Sequence, residues 1–116
     1  MTTIKDAVHD LFNNTQLPPE EVVVRHFSPT FRQRTNGTWD DRPQFLARAV
    51  ELRKVVEHAT ITVLDELTDG ARYAERHVVD LLNRDGRRLR QEVYVFGERD
   101  ADGRFSRIEE TTLMLE

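Results

Sequence analysis

The chain contains no cysteine. That excludes a disulfide framework, a thiol nucleophile and a thiolate metal site together. It also fits a reducing cytoplasm, the compartment we expect. No apolar run approaches the ~20 residues of a membrane span. The opening residues MTTIKDAVHD carry acids where a signal peptide needs an apolar run, so no secretory leader is expected. Internal repeats and low-complexity tracts are absent. No spacing of His, Asp or Glu resembles a metal motif, and there is no phosphate loop, dinucleotide fingerprint or G-x-S-x-G elbow. We therefore expect no metal and no cofactor. Basic residues are no commoner than acids: 17 Lys and Arg stand against 21 Asp and Glu, for a net charge of −4. The bases are scattered, which argues against a nucleic-acid partner; no membrane partner is expected either.

What is present fits one domain over 1–116, since 116 residues is close to the commonest domain size. Thr3 can cap a helix over 3–14, with Asp6 three positions on and Ile4, Ala7, Val8, Leu11 and Phe12 on one stripe. A second helix starts at Leu17-Pro18-Pro19-Glu20-Glu21 and ends before Ser28-Pro29, because proline and acids suit a helix start. Phe31 to Trp39 reads as irregular or extended, with a turn at Asn36-Gly37. Asp41 can cap a third helix with Gln44 as its box partner; Phe45, Ala49, Leu52 and Val56 are its buried stripe.

From Ala59 to Leu115 the pattern changes to period two. Four strands are predicted over about 60–67, 72–82, 89–98 and 105–115, closed by Asp69-Gly70, Asp85-Gly86 and Asp102-Gly103. Helices first and strands after make the fold α+β, with helices packed on an antiparallel meander. Two-residue turns would pair Val63 with Arg76, Arg76 with Val95, and Val95 with Glu110. One face would then hold Ile61, Val63, Asp65, Arg76, Val78, Gln91, Val93, Val95 and Glu110, and it should take the helices. The other would hold Tyr73, Glu75, His77, Tyr94, Phe96 and Leu113. A loop of odd length or a bulge would exchange the faces beyond it.

Several segments carry a family resemblance. They are His26-Phe27-Ser28-Pro29-Thr30-Phe31-Arg32-Gln33, Asn36-Gly37, Asp69-Gly70, Ala74-Glu75-Arg76-His77, and Asp102-Gly103-Arg104 through Ile108-Glu109-Glu110. In this order they resemble the nuclear transport factor 2-like superfamily, in its SnoaL-like branch. The resemblance implies a sheet wrapped on helices into a cone-shaped half-barrel, with a pocket for a small, often hydrophobic molecule. It also implies a homodimer through the outer sheet face. Members include polyketide cyclases, ketosteroid isomerases, epoxide hydrolases, dehydratases and non-catalytic binding domains, so fold does not give function. Against the epoxide hydrolases, Arg76 matches an Arg and Glu110 the last-strand acid, but Val78 stands where an Asp should be. Phe31 and Gln33 replace a Tyr-x-Asn pair. The isomerases' base would fall near Gln33-Arg34, neither a carboxylate. Glu110 could serve as a cyclase-like base.

Arg76 and Glu110 are thus the candidate catalytic pair. They would flank Val95, two strand spacings or about 10 Å apart. A buried carboxylate can act as general base while an arginine steadies an oxyanion; a structural ion pair is the other reading. Asp65, Gln91, Val78, Val93, Val95, Gln33, Trp39 and His26 are expected to line the pocket. Trp39 reads equally as a rim residue, and His26 as a helix-end histidine. Three hypotheses stay open: a cofactor-independent acid–base enzyme acting on a hydrophobic ligand, a binding or regulatory module, and a structural homodimer.

Overall fold

The first helix, α1 (Ile4–Phe12), starts where Thr3 Oγ1 accepts the Asp6 amide at 3.1 Å, and it buries Ile4, Ala7 and Leu11. The computed structural model describes residues 1–115. Helix α2 (Pro19–His26) takes proline and two glutamates in its first turn and buries Val22, Val23 and His26. Strand β1 (Phe27–Thr35) follows directly and pairs with β2 (Thr38–Asp41). The segment expected to be irregular or extended, with a turn at Asn36-Gly37, is therefore a hairpin. Its turn is Asn36-Gly37, with φ of 49° and 92°, the left-handed geometry of a two-residue hairpin. Helix α3 (Arg42–Val55) has the expected box: Asp41 accepts from the Gln44 amide, and the Gln44 side chain accepts from the Asp41 amide, both at 2.9 Å. Arg53 of α3 donates to the carbonyls of Asp10, Leu11 and Leu17 at 3.0, 2.7 and 2.5 Å, satisfying the end of α1.

Strands β3 (Val56–Asp69), β4 (Arg72–Asn83), β5 (Arg88–Arg99) and β6 (Phe105–Leu115) form the antiparallel meander. Among the described residues there is one six-stranded open sheet, in the order β2-β1-β6-β5-β4-β3. It is mixed rather than purely antiparallel, because β1 runs parallel to β6. Pro29 sits where that parallel register shifts, so its missing amide takes nothing from the ladder.

The meander departs from expectation at every hairpin. The first turn is Gly70-Ala71 rather than Asp69-Gly70: Asp69 faces Arg72, so Arg76 meets Asp65 instead of Val63, a slide of two residues that leaves the faces unchanged. Asn83 N donates to Arg87 O at 2.8 Å, which makes Arg84-Asp85-Gly86 a three-residue loop with Gly86 at φ 89°. The odd length shifts the ladder by one: Arg76 faces Tyr94, and Glu75 faces Val95. In β3 an extra residue, Leu64, lies between the pairs Val63–His77 and Asp65–Arg76 and turns Val63 and Ile61 to the face of His77. The β5–β6 register agrees with expectation, Val95 facing Glu110, because two deviations cancel. The last loop is also three residues, and a bulge before Arg107 restores the count.

The core lies between the helices and this re-registered face. Phe27, Phe31, Phe45, Tyr73 and Phe105 form an aromatic cluster with ring centroids 4.5–6.1 Å apart. At the far end, Arg99 is buried over Tyr73 and donates Nε and Nη2 to Thr2 O at 2.9 and 2.7 Å. Gly97 is set by close approach: a Cβ there would meet Arg107 O at 2.8 Å. Gly97→Ala is expected to cost ~1–3 kcal/mol through the shift it forces. A urea melt checks this, and an unchanged midpoint would contradict it.

Candidate functional site

A cavity of about 460 Å³ lies between the helices and the β1–β6 part of the sheet. Ile4, Ala7, Val8, Leu11 and Phe12 of α1 form one wall; Phe45, Ala49 and Leu52 of α3 form another. The aliphatic stripe that packs α1 and the opening that α3 leaves thus make the lining apolar. Polar groups are few. Gln33 and Thr35 come from β1, Thr38 and Asp40 from β2, Arg48 from α3 and Glu110 from β6.

Glu110 faces inward because Thr35 lies opposite it on β1 and Val95 on β5. Gln33 Nε2 and Thr35 Oγ1 donate to the same oxygen, Oε1, at 3.3 and 3.4 Å. Among the described residues, nothing donates to Oε2. Desolvation pushes this carboxyl above the usual glutamate range, partly offset by the nearby His77 charge and the Thr35 hydroxyl. With Oε1 already accepting, the proton belongs on Oε2. Neutral Glu110 then offers an O–H to the cavity; ionised Glu110 offers an unshielded oxygen. Either state suits proton transfer. At the other side, Arg48 donates Nε and Nη2 to the two oxygens of buried Asp40, each at 3.1 Å.

Behind the cavity wall runs a second polar array. Tyr73, Glu75 and His77 point inward from β4, at 1%, 4% and 3% exposure. Tyr73 Oη donates to Glu75 Oε1 by a very short bond, and Glu75 Oε2 pairs with His77 Nδ1 at 2.5 Å. Burial and the Glu75 carboxylate hold the Tyr73 phenol well above its usual range, so it remains a donor.

The sequence-derived candidates separate in three dimensions. Arg76 and Glu110 do not share a face, which corrects the expected catalytic pair. Arg76 lies on the outer face, half-exposed, with Asp65 at 2.8 Å and Glu92 at 3.5 Å. Asp65 and Val78 share that outer face and do not line the cavity. Val93 and Val95 are on the inner face but belong to the packed core, and Gln91 lies on the same strand opposite Val79. Trp39 is exposed, with the Arg32 guanidinium 4.8 Å above its ring, and borders a shallow outer groove instead. His26 is buried away from the cavity: its Nε2 meets Asp10 Oδ2 at 2.6 Å, and its Nδ1 meets the Thr2 hydroxyl. Desolvation raises the Asp10 carboxyl, but the His26 and Asn14 hydrogen bonds outweigh it and hold the group below its usual range. Gln33 and Glu110 both line the cavity. Tyr73, Glu75, His77, Asp40 and Arg48 were not among the candidates. The Tyr-x-Glu-x-His alternation put the first three on one face, but the one-residue register shift turned that face inward.

No protein-family model matches the chain, and no curated protein matches it. Solved structures do. A candidate isomerase from Rhodopseudomonas palustris matches with a TM-score of 0.78 at 12% identity, over 97% of this chain and 91% of its own. A nuclear transport factor 2-like protein of unknown function from Exiguobacterium sp. 255-15 matches with a TM-score of 0.71 at 15% identity, over 98% and 99%. A candidate SnoaL-like polyketide cyclase from Jannaschia sp. CCS1 matches with a TM-score of 0.66 at 13% identity, over 97% and 90%. Identities this low bear on fold. Three helices packed on one face of an open, mostly antiparallel sheet define an α+β protein with its helices and strands segregated. The chain has the nuclear transport factor 2-like fold. No helix among the described residues is long and apolar enough to cross a membrane.

Proposed function

We propose that this chain binds a small hydrophobic molecule between its helices and sheet and that Glu110 exchanges a proton with it. The reaction would be of the isomerase, cyclase or hydrolase type, independent of a cofactor and cytoplasmic. One observation carries the reading: a desolvated carboxyl keeps one oxygen without a donor among the described residues, against a largely apolar cavity. Structural neighbours described as a candidate isomerase and a candidate polyketide cyclase are consistent with this chemistry. The test is a panel of ketone, epoxide and polyketide substrates with the wild type and Glu110→Gln. Turnover should fall ~10²–10⁴-fold, the range of general acid–base catalysis, with the fold retained. Equal turnover would sink the assignment.

A second reading is a binding or regulatory module without chemistry. What favours it is the position of Arg76: outside the cavity, it supplies no cation to an oxyanion. Saturable binding of panel compounds with no conversion by the wild type would decide for this reading.

We also propose a homodimer through the outer sheet face. Leu67, Tyr94, Phe96 and Leu113 are exposed there among charged residues. Sedimentation should show a dimer, and Phe96→Asp should shift it to monomer. A wild type that stays monomeric at high concentration would end the proposal.

A further inference from the structure

The inner wall carries a polar array that the proposed proton exchange does not use. Tyr73, Glu75 and His77 occupy alternate positions of β4, so their side chains follow one another along one face. The Glu75 side chain is fully buried and that of His77 is 4% exposed. Such a group is expensive to bury, and each bond here offsets part of that cost. Tyr73 donates to one carboxylate oxygen of Glu75, and His77 Nδ1 pairs with the other. Both Glu75 oxygens are thereby used, and the imidazole is held by its Nδ1. Its second nitrogen, Nε2, has no hydrogen-bond partner among the described residues.

The register connects this array to the cavity. Glu75 lies opposite Val95, and Val95 lies opposite Glu110, so the two carboxyls stand in one row across the sheet. Two strand spacings separate their backbones, about 10 Å. His77 is the next inward residue along β4, opposite Val93 on β5 and Val63 on β3. On the intervening strand β5 the residues opposite them are Val93 and Val95. In such surroundings charges act over longer distances than in water.

We propose that Tyr73, Glu75 and His77 form a buried positioning line serving Glu110, in which His77 sets how readily Glu110 gives up its proton. The line rests on the reading of Glu110 as the working carboxyl. Its logic is that of an oriented pair: Glu75 fixes the imidazole, Tyr73 fixes Glu75, and a proton gained by His77 favours the ionised form of Glu110. His77 does not touch the cavity and is a positioning residue.

Other groups facing Glu110 are accounted for. From β1 come Gln33 and Thr35, neither ionisable; across the cavity stand Asp40 and Arg48, which neutralise each other. The α1 wall presents only Ile4, Ala7, Val8, Leu11 and Phe12. On β4 the remaining charge is Glu75, which opposes ionisation of Glu110, whereas His77 favours it. His77 and Glu75 are therefore the ionisable groups whose removal should be felt most directly.

The experiment uses the full chain without any ligand. Carboxyl carbons of glutamate are labelled with ¹³C and imidazole nitrogens with ¹⁵N, and both are followed by NMR from acid to alkaline pH. The Glu110 and His77 signals are assigned by Glu110→Gln and His77→Gln. In His77→Gln the Glu110 midpoint is expected to move up. His77→Asn is the second arm in case His77→Gln does not fold, and the same upward move of the Glu110 midpoint is expected there. A purely structural array would lower the melting temperature of both variants and leave the Glu110 midpoint where it is. An unmoved midpoint in a folded variant would overturn the proposal. Because no substrate is present, the coupling is read apart from turnover: an unmoved Glu110 midpoint overturns the line even where the substrate panel is converted, whereas a panel without conversion overturns the enzymatic reading on which the line's service to Glu110 rests.

Discussion

Glu110→Gln is expected to abolish proton transfer and, at neutral pH, to make the protein harder to unfold. Both effects come from one cause. Burial raises the Glu110 carboxyl above its usual range in the folded chain. Below the ordinary glutamate value, folded and unfolded chains both hold the proton, and the folded state keeps its full advantage. As pH rises past that value, the unfolded chain releases its proton first. Stability then declines until the folded carboxyl has ionised too, and levels off. Glutamine holds no titrating proton and keeps the hydrogen bonds that Gln33 and Thr35 direct at Oε1. The variant should therefore match the wild type in acid and exceed it increasingly through the window between the ordinary and the raised value. Melting curves from pH 4 to 8 measure this. A difference constant across that range would show that Glu110 is not held neutral by its surroundings. Loss of turnover by ~10²–10⁴-fold beside a gain in stability would mark a group kept for chemistry rather than for packing.

Glu75→Ala is expected to be the most damaging single substitution on the inner wall. It removes the acceptor for both Tyr73 and His77, and neither can turn to water because both are buried. Breaking a buried polar pair by removing one partner costs ~3–5 kcal/mol. For a domain of this size that corresponds to a fall of roughly 12–20 °C in melting temperature. Glu75→Gln is the informative control. It keeps an oxygen for the Tyr73 hydroxyl but turns an amide toward His77 Nδ1, which must then accept. Its loss should be clearly smaller, and its histidine should carry the proton on Nε2. Equal losses in the two variants would mean that packing volume, not the hydrogen-bonded line, holds this wall together.

Much of the fold was legible because its signals are local. The Thr3 and Asp41 caps, the prolines at 18, 19 and 43, and the Asp-Gly and Asn-Gly turns act within a few residues, and helix starts and strand ends fell close to where they pointed. Of the hairpin at Phe27–Asp41, only Phe31 to Trp39 was read, as irregular or extended about the Asn36-Gly37 turn. Strand β1 gains its parallel partner from the far end of the chain, a pairing no short window contains. Leu52, placed on the buried stripe of α3, is exposed at the cavity, because that helix covers the sheet incompletely.

The candidate site was legible in part. Glu110 and Gln33 line the cavity, since the register of β6 on β5 was read correctly and β1 adds Gln33 beside it. Arg76 and Asp65 went to the wrong side for a single reason: the loop at Arg84-Asp85-Gly86 has three residues rather than two. A dipeptide such as Asp85-Gly86 is compatible with either length. The choice depends on which strand faces pack best, and burying Tyr73, Val79 and Val93 against the aromatic cluster decides it.

From the sequence alone, the meander from Ala59 to Leu115 follows as four strands with three turns, capped by helices, because propensity, capping and turn chemistry are properties of neighbouring residues. Which side of that meander meets the helices is not such a property. Alternation assigns residues to two faces but does not name them, and one odd loop exchanges their roles. Tertiary packing made the choice: it put Arg76 in solvent, put Tyr73, Glu75 and His77 inside, and left Glu110 with one free oxygen at the edge of the cavity.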